Sequence, residues 1–211
     1  MKLIAAGCSV THGAELDHPF MSEENAQQSY PALLAKNLNL KCVNVALSGA
    51  SNDYIFHTAV EEIKKHDDVS VLLVCWTHSP RLTWRAFDRT YIIHPTFATA
   101  LKDVYQDPKH RKDVGKVHIS SDANILNELE QGVKFAVSHM IDCDELDSKR
   151  DNHSLALKAI CDQRQITFIE LDVMDFKNVG KYDEEERHPN NVEHALIADH
   201  LLATYFPNGL K

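Results

Sequence analysis

No stretch of this chain approaches the roughly 20 consecutive apolar residues that a membrane-spanning helix needs, and the sequence offers no membrane span. Its five cysteines, Cys8, Cys42, Cys75, Cys143 and Cys161, fall at no paired metal-binding spacing. Being odd in number, they also lack the even framework that staples small secreted domains. A reducing compartment is the simpler expectation. Positive charge is in short supply: 22 Lys and Arg face 31 Asp and Glu, for a formal net charge of -9. Such a surface repels phosphates, which argues against nucleic acid or an anionic membrane as partner. The start, Met1 to Cys8, faintly resembles a lipoprotein cleavage site, but its apolar run is shorter than the about 7–15 residues of a signal-peptide core. It reads as a first strand, and the expected location is the cytoplasm. Internal repeats and low-complexity segments are absent as well.

What is present is an alternation of strand-like and helix-like segments. With 211 residues, 44% of them hydrophobic, the chain can bury a full core, and one domain over 1–211 is the default. Residues 2–6 form a first strand. A polar loop over 13–27 leads to Ser29-Tyr30-Pro31, which opens a helix with the proline in its first turn, where a missing N–H costs little. Residues 41–47 form a second strand. In the small-residue turn Ser48-Gly49-Ala50-Ser51-Asn52-Asp53, either Ser51 or Asn52 can cap the next helix. That helix carries Ile55, Ala59 and Ile63 at helical spacing, to about Lys65. Residues 69–75 are apolar on both faces, as the middle of a parallel sheet requires.

Helical spacing returns in Ile125, Leu129, Val133, Ala136 and Met140, and again in a helix carrying Leu155, Ala159 and Ile160. A fourth strand covers 166–171, and a last helix carries Ala195, Ala198, Leu201, Leu202 and Tyr205. Between the third strand and these helices, about 81–122 has no period and reads as an irregular insertion or lid, with a short strand hidden at Tyr91-Ile92-Ile93. Strands alternating with helices predict an α/β fold, a three-layer α/β/α sandwich around a central, mostly parallel sheet of four to five strands. Right-handed crossovers put every strand-to-helix loop at one edge of that sheet. Ser9, Gly49, the loop after the third strand and the loop holding His188 would meet there, where open α/β sheets bind ligands.

The residue types at that edge suit one another. Gly7-Cys8-Ser9 offers a hydroxyl, and Glu185-Glu186-Arg187-His188-Pro189-Asn190 offers an imidazole with a carboxylate three residues before it. A serine hydroxyl is a weak nucleophile until a base takes its proton, and the base needs a partner to orient it.

In four blocks, in order and each at a strand end, the chain resembles the SGNH (GDSL-like) hydrolases, whose fold is flavodoxin-like. The family's first block usually reads Gly-Asp-Ser; here it is Gly7-Cys8-Ser9, which keeps the nucleophile and lacks the acidic neighbour. Gly49 matches the second-block glycine, whose backbone N–H helps to bind an oxyanion. The third block normally carries an asparagine as a further donor, and Cys75-Trp76-Thr77-His78-Ser79-Pro80 has none. Glu185 and His188 match the last block, with glutamate for the usual aspartate.

The resemblance implies Ser9 as nucleophile, His188 as base and then acid, and Glu185 as the orienting carboxylate, with Asp183 and Glu186 of the same acidic run as alternatives. It implies amide donors at Ser9 and Gly49, with His78, Thr77 or Asn52 in place of the asparagine. Thr77 and His78 would otherwise line the cleft, and Asn52 would cap a helix. Arg81, Arg85 and Arg89, interleaved with Trp84, either bind an anionic or sugar-like substrate or form a solvated, salt-bridged face. Cys8 is expected beneath the turn, and His12 as filler near it. No metal or cofactor is implied: His188 and His194, six apart, do not share a helix face, and no clustered Cys/His spacing exists. The expected substrate is a small acyl or acetyl ester, on a small molecule or a carbohydrate. The alternative is a relative that has lost catalysis and serves as a binding or structural module.

Overall fold

A computed structural model describes residues 1–14, 16–77, 81–86, 89–93, 131, 143–173, 176 and 188–210, with backbone alone for 82–86 and 89–93. Strands β1 (Lys2–Ala6), β2 (Lys41–Asn44) and β3 (Val69–Trp76) come first along the chain. After β3 come β4 (Leu82–Ala86) and β5 (Arg89–Ile93), and later β6 (Thr167–Asp172). A four-stranded sheet runs in the order β2-β1-β3-β6, with every pair parallel. Ile4 stands opposite Val43 on one side and Leu72 on the other, and Leu72 opposite Phe168.

Alternation along the strands builds two cores. Leu3, Ala5, Val71, Leu73, Ile169 and Leu171 point to one face, where they pack with Tyr30 and Leu34 of α3 (Tyr30–Asn37) and Ile197 and Leu201 of a C-terminal helix, Asn191–Tyr205. Ile4, Ala6, Leu72 and Val74 point to the other, against Ile55, Ala59 and Ile63 of α4 (Asn52–Lys65) and Leu157 and Cys161 of α5 (Cys143–Arg164). The C-terminal helix is α6. Both faces are covered, so the strands read as continuous apolar runs, and the layers are the three expected.

Local chemistry sets the helix ends. Ser51 caps α4 by accepting from the Tyr54 amide at 3.3 Å, and Lys64 and Lys65 lie in its last turn, where the helix dipole favours cations. Pro31 lies in the first turn of α3. At α6, the Asn190 side chain accepts from the Val192 and Glu193 amides at 3.0 Å each, and Glu193 accepts from the Asn190 amide at 2.7 Å, a complete capping box.

Some expectations are corrected. The polar stretch 13–27 contains a helix, α2 (Glu23–Gln28), and α1 (Ser9–His12) precedes it; both are too short to carry a hydrophobic period. The second strand ends at Asn44, whose side-chain oxygen takes the Ala46 amide at 3.1 Å. Helix α5 begins earlier and buries Leu157 and Cys161, while Leu155 is 67% exposed. The strand expected at 91–93 lies within β5, which pairs antiparallel with β4, Thr83 opposite Ile92. Residue 131 apart, the helix expected over 125–140 and the rest of the 81–122 insertion fall outside the described residues. Among the described residues no helix is long and apolar enough to cross a membrane.

Candidate active site

The elbow after β1 is shaped by close approach. A Cβ on Gly7 would stand 2.1 Å from Thr11 Oγ1, so only glycine lets the chain turn back this tightly. Cys8 is the extended N-cap of α1, and Ser9 is its first helical residue. The first-turn amides of such a helix have no partner within it. Asn44, at the end of β2, fixes the other end of α1: its amide donates to the Thr11 carbonyl at 3.0 Å and to Ser29 Oγ at 3.2 Å. Thr11 Oγ1 also shares a hydrogen bond with the buried Tyr30 hydroxyl, 3.1 Å away. Beyond α1, the fully buried Asn25 divides its amide hydrogens among the carbonyls of Ala14, His18 and Pro19.

His188 reaches this elbow from the far end of the chain. Its Nε2 lies 2.7 Å from Ser9 Oγ, a hydrogen bond in which the hydroxyl donates when Nε2 is unprotonated. Two residues later Asn190 caps α6, and the intervening Pro189 is buried. His194 anchors α6 in turn. Its Nδ1 accepts from the Tyr30 amide at 3.0 Å, and its ring stacks on that of Tyr30 with centroids 5.7 Å apart. Burial, the larger cause, drives the His194 pKa down to about 4, which keeps it neutral. Sequence reasoning weighed His194 only as a metal ligand; its partner is 164 residues away and no local signal announces it.

Of the expected oxyanion donors, Gly49 sits on a loop stitched to the elbow: the Leu47 amide donates to the Gly7 carbonyl at 3.1 Å and the Ala50 amide to Leu47 at 3.0 Å. Gly49 has φ +76, and no atom of the described residues lies within 4 Å of where its Cβ would be. Asn52 is the first residue of α4 and not its cap. Its side chain clasps the residue after β3, donating to the Thr77 carbonyl at 3.1 Å and accepting from the Thr77 amide at 2.9 Å. Thr77 is buried, and its Oγ1 has no hydrogen-bond partner among the described residues. His78, Glu185, Asp183 and Glu186 lie outside the described residues, as do the side chains of Trp84, Arg85 and Arg89.

Arg81 is partly buried. Its Nη1 donates to the Ala50 carbonyl at 3.4 Å, its guanidinium lies beside the Cys8 thiol, and burial pulls its pKa downward. Its Nε is buried without a partner among the described residues. Cys8 is buried in the core beneath the turn, as expected. His12 is buried too, with Nδ1 unpartnered among the described residues and its pKa lowered by burial.

A polar cleft adjoins Arg81 and Asn52, walled by Asp53, Lys149, Arg150 and His153. Burial alone would raise the Asp53 carboxyl, but Lys149 Nζ at 2.8 Å and His153 Nε2 at 2.9 Å hold it below the usual range. Among the described residues no group of three or more His, Cys, Asp or Glu side chains is placed to hold a metal ion.

No family model and no curated protein matches the chain. Solved structures similar to it include a lipolytic protein of the G-D-S-L family from Veillonella parvula DSM 2008, with 16% identity, 99% of each chain covered and a TM-score of 0.39. Another is TesA, at 14% identity over 98% of this chain and 99% of that one, TM-score 0.43. A third is a family two carbohydrate esterase from Clostridium thermocellum in complex with cellohexaose, at 18% identity over 96% of this chain and 62% of that one, TM-score 0.39. Likenesses this distant carry no argument about the site, which rests on its own geometry.

Proposed function

We propose that the chain is a serine hydrolase of the SGNH type, which cleaves small acyl or acetyl esters, on a small molecule or a carbohydrate, through an acyl-enzyme on Ser9. The observation that carries this reading is the 2.7 Å separation of Ser9 Oγ and His188 Nε2, two atoms 179 residues apart in sequence. Surface side chains have no reason to meet in that way, and a nucleophile with its base has one. As Ser9 Oγ adds to the ester carbonyl carbon, its proton passes to His188 Nε2. The tetrahedral intermediate collapses as His188 returns that proton to the departing alcohol. Water then repeats the sequence on the acyl-enzyme. Glu185 is the proposed carboxylate that orients the imidazole, with Asp183 and Glu186 as competitors. The amides of Ser9 and Gly49 are the proposed backbone donors to the oxyanion, with Thr77, His78 and Asn52 as side-chain candidates. Asn52 keeps a second amide hydrogen beyond the one given to Thr77. The mechanism calls on no metal or cofactor.

Hydrolysis of a short p-nitrophenyl ester and labelling by a fluorophosphonate, which reacts quickly only with an activated serine, test the proposal together. Ser9→Ala and His188→Ala should each lower kcat by roughly 10³-fold or more, and Ser9→Ala should abolish labelling. Turnover retained in a folded Ser9→Ala variant would remove Ser9 from its role. The absent third-block asparagine favours one other reading, a catalytically impaired binding module. Wild-type protein that neither turns over nor labels, beside an esterase control that does both, would support it.

A further inference from the structure

The hole left by the missing asparagine has a candidate on the same segment of chain. We propose that the Arg81 guanidinium is the side-chain donor that stabilises the oxyanion. The inference rests on Ser9 being the nucleophile.

Position is the first argument. Arg81 enters just after β3, on the loop that would have carried the asparagine. It touches both loops that supply the backbone donors. Nη1 bonds the carbonyl of Ala50, the residue after Gly49, and the guanidinium lies beside Cys8, the residue before Ser9. The side chain therefore contacts both the segment that carries Gly49 and the elbow that carries Ser9.

Unspent donor capacity is the second argument. Arg81 Nε is buried and unpartnered among the described residues. A buried donor left without an acceptor is destabilising, and such an unpaired group calls for a functional account. Charge points the same way. No carboxylate among the described residues pairs with Arg81, although Asp53 lines the same cleft. Asp53 is held by Lys149 and His153, and Asp172 by Arg150 at 3.3 Å. Among the described residues, Arg81 is thus a cation without a carboxylate partner at the carboxyl edge of the sheet.

The chemistry balances without moving an Arg81 proton. When Ser9 Oγ bonds to the carbonyl carbon, the π pair moves to oxygen and the hydroxyl proton goes to His188. The new negative oxygen accepts N–H bonds from the guanidinium and the two amides. Collapse re-forms the carbonyl, and the alkoxide leaves with the proton from His188. A charged donor makes a shorter and stronger bond to an anion than a neutral amide does. That advantage appears only as charge develops, which places it in kcat.

The test uses the full chain and a neutral p-nitrophenyl ester. Arg81→Ala should lower kcat by about 10²–10³-fold, with KM little changed and the circular dichroism spectrum retained. Millimolar guanidinium should restore part of that rate to Arg81→Ala and none to Ser9→Ala, an effect that a purely structural role would not produce. Should Arg81→Ala fail to fold, Arg81→Lys keeps the charge, shifts the donors and should give the same loss in kcat. An inactive Ser9→Ala beside an unaffected Arg81 variant would overturn this inference alone. A fully active Ser9→Ala would overturn the nucleophile and this inference with it. A loss seen only in KM, and only with negatively charged esters, would overturn it in favour of substrate binding.

Discussion

At the scale of single residues, the two glycines near the site do different work, and substitution separates them. A Cβ on Gly7 would strike Thr11 Oγ1, which is itself held by Tyr30. Gly7→Ala should cost about 1–3 kcal/mol through overpacking and displace Ser9, so that fluorophosphonate labelling falls with stability. A Cβ on Gly49 would meet no atom of the described residues within 4 Å, but the backbone there is left-handed. Gly49→Ala should cost about 1–2 kcal/mol of backbone strain and keep its amide, so labelling should persist. Urea unfolding followed by circular dichroism, with labelling measured on the same samples, checks both; equal labelling loss in the two variants would refute the distinction. Ser9, Gly49 and His188 could be proposed from the sequence because each sits in a short motif beside a strand or helix end. The contacts of Asn44 and His194 could not be, because they reach across 33 and 164 residues, and Arg81 could be marked only as a candidate for binding an anionic or sugar-like substrate, since its contact with Ala50 reaches across 31.

At the scale of elements, the proposed base lies on the segment that leads into α6, and the Tyr30–His194 contact locks that helix to α3. This contact makes a prediction about acid. The His194 pKa falls from 6.5 to about 4 in the folded state because burial opposes the charged form. Between those values the unfolded chain binds a proton that the folded chain refuses, so stability should drop as pH falls through the window and be unaffected by this group above it. At 1.36 kcal/mol per pH unit, the loss by pH 4 is on the order of 3 kcal/mol. Urea midpoints from pH 7 to pH 4 should fall less steeply in His194→Gln, which can still accept from the Tyr30 amide. Parallel slopes for wild type and variant would place the acid sensitivity elsewhere. Strands and helices with a full apolar period were readable at this scale. Helices α1 and α2 were not, since four and six residues are held by caps and by Asn25 and Asn44 more than by an amphipathic face. The buried face of α5 was misread because Leu155 points to solvent while Leu157 and Cys161 turn inward.

At the scale of the whole molecule, the strand order explains why Ser9 and His188 can meet. The chain leaves β1 for β2 on one side, then crosses through α4 to β3 on the other, so the reversal lies between β1 and β3. A crevice opens at the carboxyl ends of strands flanking such a reversal. Ser9 follows β1 and Thr77 follows β3, while His188 arrives beyond β6. This layout was readable from the alternation of apolar runs, which dictates parallel strands with helices on both faces. It also ties the site to global folding. Ile197 and Leu201 of α6 belong to the same core as Leu3 and Ala5 of β1, so the arm bearing His188 cannot leave without opening that core. In urea, fluorophosphonate labelling and circular dichroism should therefore fall at one midpoint. Labelling lost at clearly lower urea would mean that the His188 arm opens as a local unit, and that packing of α6 does not by itself hold base and hydroxyl together.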